Sequence, residues 1–217
     1  SIPVEEQRID KPECREWKTH KTGAGELRDF RDFESLYADF RTRLAQKVGQ
    51  LVDKNPKTGL PCPLLSLLVD GCIEKARSYL DGGPVYSVLS PHAGGIPDVA
   101  NSLLVIRSLV YEEQAFTLRE FLGMVRANWE EFEAERRKIR KLFEFYGNDN
   151  AEADAMVRRV FNDFTELVSQ IRERHGVLRP AGISTFGREG VAFLAHRTAT
   201  ASGALKGSVL APNFSAS

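Results

Sequence analysis

The residues of this chain most able to carry covalent chemistry are its three cysteines, and one of them has an acidic neighbour. Cys72 follows a glycine and stands two positions before Glu74 in the stretch LLVDGCIEKARSYL. A thiol reacts as the thiolate, which forms most readily on an exposed loop or at a helix N-terminus. Cys62 lies between two prolines, and the sequence places no base beside it. Whether Cys72 is reactive therefore depends on the element that presents it.

The pattern around Cys72 predicts a helix. Apolar residues recur at three- and four-residue steps over about 63–80, and Cys72 shares their face with Leu65. On that helix Glu74 would point away from Cys72, because residues two apart do not face each other. A cysteine in this setting is predicted to be a small buried hydrophobe. The alternative, an independent thiol enzyme, requires an exposed Cys72 thiol with a depressed pKa.

The remaining residues form no complete catalytic or metal-binding set. The histidines have no metal-ligand spacing with the cysteines, and P-loop, nucleophile-elbow and dinucleotide-binding motifs are absent from the sequence. The stretch PHAGGIP at 91–97 has the glycines of a phosphate cradle without its Lys and Ser/Thr. We predict that these glycines let the backbone pack closely in a loop that caps a helix. The sequence thus predicts no metal site and identifies no catalytic residue.

Composition limits the class of protein. The 217 residues are 42% hydrophobic and 28% charged, which suits one packed domain or a large piece of one. Thirty basic and thirty acidic residues cancel, so neither a nucleic acid nor a membrane surface is predicted as a partner. No apolar run reaches the length of a membrane span. Three widely spaced cysteines fit reduced thiols in the cytoplasm.

Helical periodicity dominates the chain up to Pro180. The predicted helices run from Asp32, as N-cap, to Val52, over about 63–80, from about Asp98, and from the capping box Thr117–Glu120 to about Phe145. A last helix is predicted from an Asn/Asp cap in the YGNDN turn to near His175–Gly176. The glycine- and proline-rich stretch at 81–97 is predicted to be a loop with little regular structure. The charged residues of 130–141 are predicted to form a solvated helix face, with Glu133 paired to Arg137.

Beyond Pro180 the composition shifts to Gly, Ala, Ser and Thr, with β-prone pieces near Ile183–Phe186 and Val191–Leu194. The predicted fold class is mainly α with a few short strands in the C-terminal tail. The predicted organisation is an irregular lead-in over 1–31, a helical part over 32–180 and a strand-and-loop tail over 181–217.

Four stretches together resemble a known superfamily. They are LLVDGCIEKARSYLDGGPVY at 67–86, GIPDVANSLLVIRSLVYEEQAFTLREF at 95–121, YGNDNAEADAMVRRVFNDF at 146–164 and TATASGALKGSVLAPNFSAS at 198–217. In this order and spacing they resemble the later part of the glycyl radical enzymes. That superfamily includes pyruvate formate-lyase (formate acetyltransferase), the B12-independent glycerol and diol dehydratases, choline trimethylamine-lyase and arylacetate decarboxylases.

The resemblance implies part of a ten-stranded α/β barrel in which a cysteine loop and a glycyl-radical loop meet. It implies thiyl-radical chemistry on a small organic substrate: C–C cleavage, dehydration, C–N cleavage or decarboxylation. The implied cofactor is a glycyl radical installed by a separate S-adenosylmethionine/4Fe-4S activase. The implied partners are the rest of the parent polypeptide, this activase and the substrate. The family is anaerobic and commonly dimeric, so a homodimer is implied as well.

Neither catalytic centre of the family is expected within this sequence. The catalytic cysteine of the family lies in a Gly-Cys-Val/Ile-Glu loop upstream of the matched region, and the radical glycine lies in a later Arg-Val-x-Gly-Tyr motif. Cys72, Gly203 and Gly207 are therefore not assigned these roles. The stretch TASGALKG departs from the Thr-Pro-Asp-Gly-Arg of many members, which leaves the subfamily open.

We therefore expect a fragment of a larger enzyme, inactive by itself. Its tail is expected to approach the active site of the parent enzyme, with Pro212, Asn213 and Ser215 as candidates for lining the substrate pocket. The alternative of another class is a non-catalytic helical interaction domain derived from the same family.

Overall fold

The computed structural model describes residues 28–52, 62–171, 177–183, 197–209 and 211. The helices are α1 (Phe33–Val52), α2 (Pro63–Leu68), α3 (Ile96–Ile106), α4 (Leu118–Arg126), α5 (Glu133–Leu142) and α6 (Ala151–Ser169), and the strands are β1 (Ser87–Val88), β2 (His92–Ala93), β3 (Val177–Leu178) and β4 (Gly182–Ile183). A 3₁₀ turn spans Tyr79–Asp81, and a π-helical turn, Arg107–Glu112, continues α3. The described part is thus mostly helical with few strands, as predicted.

Helix α6 lies at the centre of the helical packing, against α1 and α3. The core between these three helices is apolar and buried, and its members are Phe33, Tyr37, Ile96, Ala100, Leu103, Met156, Val157 and Val160. The predicted N-caps are confirmed. The Asp32 carboxylate accepts the amide of Ser35 at 2.8 Å, and the Asn150 side chain accepts the amides of Glu152 and Ala153. Each cap satisfies backbone donors that the first turn of its helix leaves unpaired.

A polar network joins α1 to α6 at the edge of this core. The Tyr37 hydroxyl donates to Asp163 over 2.7 Å, and Arg41 Nε donates to the same carboxylate over 2.9 Å. Arg159 binds both carboxylate oxygens of Glu34, and its guanidinium lies 3.6 Å from the centre of the Tyr37 ring. Burial, together with the Asp163 carboxylate, raises the pKa of Tyr37, so this hydroxyl remains a donor.

The predicted single helix from Thr117 to about Phe145 is wrong, because the chain breaks at a corner between α4 and α5. Asn128, Trp129 and Glu131 have left-handed φ values of 56°, 62° and 67°. The corner turns Trp129 inward to 1% exposure, edge-on to Phe121 at 5.9 Å between ring centres. Burial of a large aromatic side chain therefore outweighs the helical propensity of the sequence. The capping box of Thr117 and the Glu133–Arg137 pair, at 2.9 Å, are both confirmed.

The predicted helix over about 63–80 is also wrong, because α2 ends at Leu68. Gly71 begins a series of turns with a φ of 91°, which non-glycine residues rarely adopt. The chain then folds back, and the Val85 amide donates to the Asp70 carbonyl over 2.9 Å. Helix α6 likewise ends at Ser169, before the predicted end near His175–Gly176, and those two residues lie outside the described ranges.

The strands form two short parallel pairs between the same two segments of the chain, 87–93 and 177–183. Strand β1 pairs with β3, and β2 pairs with β4. Between them, Gly182 donates its amide to the Pro91 carbonyl over 2.9 Å, and the Ser90 hydroxyl donates to Pro180. Pro91 and Pro180 have no amide hydrogen to donate, which explains the interruption of the ladder.

The stretch 81–97 is mostly loop, as predicted, but the prediction did not identify the short strands β1 and β2 within it. Parallel neighbours need a long crossover connection, and α3 to α6 provide it here. Of the two β-prone pieces, Ile183 lies in β4, and residues 184–196 fall outside the described part.

Candidate functional site

The C-terminal part of the described chain is held against the corner between α4 and α5. We call residues 197–209 and 211 the docked tail. The Trp129 indole N–H donates to the Thr200 carbonyl at 3.2 Å, and Arg136 Nη1 donates to the Gly203 carbonyl at 3.0 Å. The Asn128 side chain accepts the Lys206 amide at 2.7 Å. Asn128 and Trp129 of the corner, together with Arg136 of α5, thus fix three points on the tail backbone.

The docked tail is itself a series of tight turns. The Thr200 amide donates to the Ala204 carbonyl, and the Thr200 hydroxyl accepts the Ala204 amide in return. Gly203 has a φ of 88°, and a Cβ at this position would lie 3.0 Å from Arg140 Cγ. The turn and its close approach to α5 therefore both favour glycine at position 203.

A buried carboxylate anchors the end of the docked tail. Asp98 lies in the first turn of α3 and is 9% exposed. Its Oδ2 accepts the Ala211 amide at 2.8 Å, and Ala211 is itself buried. Burial raises the pKa of Asp98, while the bond from Ala211, its own amide and the charge of Arg197 act in the opposite direction. Arg197, itself a residue of the docked tail, also donates to the Ser208 carbonyl, and this bond lies within the tail.

Glu133 holds Arg136 in position for its contact with Gly203. Arg136 Nε and Nη2 bind the two carboxylate oxygens of Glu133 at 2.6 and 2.8 Å, and Nη1 remains directed at the tail. The hydrogen bonds from Arg136 and Arg137 lower the pKa of Glu133 to about 2. The carboxylate is therefore ionised at neutral pH, and it fixes the guanidinium plane.

Cys72 is buried, as predicted, although it lies in a turn and not in a helix. Its side chain is 3% exposed. A methyl group added to Gly83 would come within 2.8 Å of the Cys72 sulfur, so the two segments are in close contact. Glu74 does not serve the thiol in the described contacts, because its carboxylate accepts the Gly71 amide at 3.0 Å. The hypothesis of a thiol enzyme that uses Cys72 requires an exposed sulfur and is contradicted by this burial.

The predicted pocket residues Pro212, Asn213 and Ser215 lie outside the described residues. The described chain brings the tail to the position just before them, where Asp98 holds Ala211. Within the described ranges no three His, Cys, Asp or Glu side chains are grouped as a metal site. None of the helices described there has the length and apolar character of a membrane crossing.

Sequence patterns did not single out the residues that hold the tail. Asp98 marked the start of a helix, an ordinary place for an acidic residue, and nothing local reveals that its carboxylate reaches Ala211. Trp129 and Arg136 fell inside a predicted continuous helix. Gly203 and Gly207 have left-handed φ values of 88° and 79° in turns of the tail, which agrees with a structural role for both.

A parallel strand pair joined by a helical crossover defines a segment of an α/β domain, and comparison with known proteins identifies the class. The family model described as pyruvate formate lyase-like matches residues 13–191, and the chain belongs to this family. Trans-4-hydroxy-L-proline dehydratase of Clostridioides difficile is 30% identical over 151 residues, which are 67% of this chain and 19% of that protein.

Solved structures give the same classification. The hydroxyproline dehydratase of Clostridioides difficile, with trans-4-hydroxy-L-proline bound, matches with a TM-score of 0.76 and 26% identity over 87% of this chain and 24% of its own. A Roseburia inulinivorans structure concerned with 1,2-propanediol dehydration matches with a TM-score of 0.77 and 26% identity, and the match covers 87% of this chain and 25% of the other. A glycyl radical enzyme of Archaeoglobus fulgidus matches with a TM-score of 0.71 and 26% identity, and the match covers 89% of this chain and 25% of the other.

The predicted membership of the glycyl radical enzyme superfamily is confirmed by these matches. The chain spans about a fifth of the curated relative, at 19% of its length, and about a quarter of the solved chains, at 24–25%.

Proposed function

We propose that this chain is the later barrel segment of a glycyl radical enzyme that dehydrates a small hydroxylated substrate. Family membership supports the enzyme class, and the names of the similar proteins favour dehydration over the C–C cleavage of formate acetyltransferase, C–N cleavage or decarboxylation. Dehydration removes a hydroxyl group and a hydrogen from the substrate as water.

The observation that carries the assignment to a larger enzyme is a concentration of exposed apolar side chains in one segment of the chain. Over 64–88 the exposed members are Leu64, Leu65, Leu67, Leu68, Ile73, Tyr79, Leu80, Val85, Tyr86 and Val88, and Leu64, Leu68 and Tyr86 are more than 70% exposed. Single exposed apolar residues are ordinary, but so many in one segment indicate a surface that another part of a protein covers. We propose that the rest of the parent polypeptide covers them.

The strand pairs support the same arrangement. Among the described residues β1 to β4 pair only with each other, so each pair has outer edges able to accept further strands. Parallel strands joined by helical crossovers usually lie in sheets covered on both faces. We propose that these strands belong to the ten-stranded barrel of the complete enzyme, with 32–180 as its helical part and 181–217 as a tail that leads toward the radical domain.

The catalytic cysteine and the radical glycine are proposed to lie in the parent polypeptide outside this segment. Cys72 is buried, and Gly203 and Gly207 occupy structural turns, so none of them fits these roles. In the proposed enzyme a glycyl radical, installed by an S-adenosylmethionine/4Fe-4S activase, supplies hydrogen abstraction. The segment by itself is therefore proposed to be inactive, and the parent is proposed to be a cytoplasmic, anaerobic enzyme and a homodimer.

The role of this segment in the reaction would be to present its tail to the substrate. The corner between α4 and α5 and the Asp98 carboxylate fix the docked tail up to Ala211. The next residues, Pro212, Asn213 and Ser215, are proposed to line the substrate pocket. Asn213 and Ser215 carry hydrogen-bonding groups suited to the hydroxyl groups of a small polar substrate.

The proposal is tested on the polypeptide that contains this segment in its source organism, purified without oxygen and treated with its activase. We expect an electron paramagnetic resonance signal of a glycyl radical. We also expect water elimination from trans-4-hydroxy-L-proline, 1,2-propanediol or a related hydroxylated compound. An activated protein that carries the radical but cleaves C–C or C–N bonds would overturn the dehydration proposal, and one that never forms the radical would overturn the enzyme class.

A pair of surface variants tests the covered face in the same polypeptide. Leu68→Lys places a charge on a residue that is 74% exposed in this segment and proposed to be buried in the whole enzyme. We expect Leu68→Lys to lower the yield of folded enzyme sharply, since an unpaired buried charge is costly. Leu142→Lys, on α5 at 63% exposure outside the apolar stretch, serves as the control. Equal tolerance of both variants would show that the face around Leu68 stays open.

A further inference from the structure

We infer that Asp98 is a positioning residue that sets the path of the substrate-facing tail, an inference that rests on the proposed function. Asp98 belongs to the first turn of α3, and Ala211 lies at the far end of the docked tail. The bond between Asp98 Oδ2 and the Ala211 amide is 2.8 Å long, and both residues are buried. The bond is thus shielded from bulk water, and breaking it would leave a buried amide and a buried carboxyl oxygen without partners.

The bond holds the chain directly before the proposed pocket residues, and this position is why it can direct them. Ala211 is followed directly by Pro212, which has no amide hydrogen and a fixed φ, and which restricts the residue before it to extended conformations. Fixing the Ala211 amide therefore limits the direction in which the chain continues. Asn213, proposed above to line the pocket, is two residues after Ala211 in the sequence.

Other contacts of the tail cannot replace this anchor. The bonds from Trp129, Arg136 and Asn128 end at Lys206, and Arg197 holds Gly207 and Ser208. Among the contacts described for the tail, the bond to Asp98 is the one that lies nearest the pocket candidates. The tail is therefore fixed by two separate parts of the fold, the corner between α4 and α5 and the beginning of α3.

The anchor is also suited to carry a negative charge. Burial disfavours the charge and raises the pKa of Asp98, but the N-terminal end of α3 and the charge of Arg197 both favour the anion. An ionised carboxylate is a stronger acceptor for the Ala211 amide than a neutral amide oxygen is. Asp98→Asn should therefore weaken the anchor, and Asp98→Ala should remove it.

The test is hydrogen–deuterium exchange of the polypeptide that contains this segment, read on peptides covering 205–217. We expect Asp98→Ala to speed exchange of these amides about tenfold or more, the change expected from losing a bond to a charged group. Asp98→Asn should give a smaller increase in the same amides. Exchange in α6 should be unchanged in both variants. Asp154→Ala is the matched control, because it removes an aspartate from the first turn of another helix, α6, and no bond from this side chain to the tail is among the described contacts.

Unchanged exchange of the tail in both variants, or equal loosening of the tail and α6, would overturn the inference. If Asp98→Ala does not fold, Asp98→Asn alone decides, since its expected effect is confined to the same amides. Hydrogen exchange is measured without turnover, so the inference and the proposed function can fail separately. An inactive protein whose tail amides still exchange faster in the Asp98 variants would contradict the proposed function and leave the inference intact. In an active enzyme we expect Asp98→Asn to reduce kcat/KM, and Asp154→Ala to leave it unchanged.

Discussion

Trp129 donates its indole N–H to the carbonyl oxygen of Thr200, and this bond joins the corner between α4 and α5 to the docked tail. The indole is 1% exposed and lies edge-on to Phe121, so its direction is fixed by the core. A buried aromatic side chain thereby extends the rigidity of the helical packing to a turn-rich segment. The left-handed backbone of the corner is what allows this orientation.

Replacing Trp129 by Phe keeps an aromatic ring in the core but removes the donor. We expect Trp129→Phe to lower the free energy of unfolding by about 0.5–1.5 kcal/mol, the usual net contribution of one hydrogen bond, because the Thr200 carbonyl keeps its bond from the Gly203 amide. Trp129→Ala should cost about 3–5 kcal/mol because it also creates a cavity. Urea unfolding measures both values. A Trp129→Phe variant with unchanged stability would show that the Thr200 bond contributes nothing measurable.

The Tyr37–Asp163 hydrogen bond is expected to stabilise the contact between α1 and α6. Tyr37→Phe removes only the hydroxyl, whose bond to a carboxylate is worth about 1.5–3 kcal/mol when buried and less at this partly buried edge. We therefore expect a loss of about 1 kcal/mol in urea unfolding. Tyr86→Phe, at a residue that is 76% exposed in this segment, is the control and should change the stability of the segment by less than about 0.5 kcal/mol.

Glu133 should make stability depend on pH in the acid range. Its pKa in the folded chain is lowered from 4.5 to about 2 by hydrogen bonds from Arg136 and Arg137. Because the folded pKa lies below the unfolded one, the contribution is fully present above about pH 4.5. It is lost as the pH falls through the folded value near 2.

The measurement for Glu133 is the stability difference between the native chain and Glu133→Gln as a function of pH. We expect a difference in favour of the native chain at pH 6 that shrinks between pH 4.5 and 2. Glu130→Gln removes a neighbouring carboxylate and controls for net charge. A difference that stays constant across this range would contradict the assigned cause.

Local rules predicted much of this fold where the determining contacts are close in sequence. The N-caps at Asp32 and Asn150, the capping box at Thr117 and the Glu133–Arg137 pair involve residues two to four apart, and all are present. The corner at Trp129 could not be predicted in this way, because its Phe121 and Thr200 contacts come from packing that a helical period does not encode.

The same distinction applies to the candidate site. The resemblance to glycyl radical enzymes led to the prediction that the tail approaches the active site. The burial of Cys72 was predicted from its apolar neighbours in the sequence. The anchors of the tail were missed, since Asp98 and Ala211 are far apart in the chain. The helix predicted over 63–80 failed because Gly71 takes a left-handed conformation and folds 70–85 back on itself.

Gly203 gives a test of the docked tail that includes its own internal control. Gly203→Ala forces a side chain into a φ of 88° and within 3.0 Å of Arg140 Cγ. We expect it to lower the free energy of unfolding by more than about 1 kcal/mol. Gly123→Ala is the same chemical change inside α4, where an added Cβ meets nothing within 4 Å.

We expect Gly123→Ala to raise stability by about 0.5–1 kcal/mol, because alanine loses less conformational freedom than glycine on forming a helix. Opposite signs for the two variants in urea unfolding, with faster amide exchange at 200–208 in Gly203→Ala alone, would establish that the turn is required for docking. The same sign in both would mean that the tail adapts to an added methyl group. Close packing of Gly203 against α5 would then not determine the position of the tail.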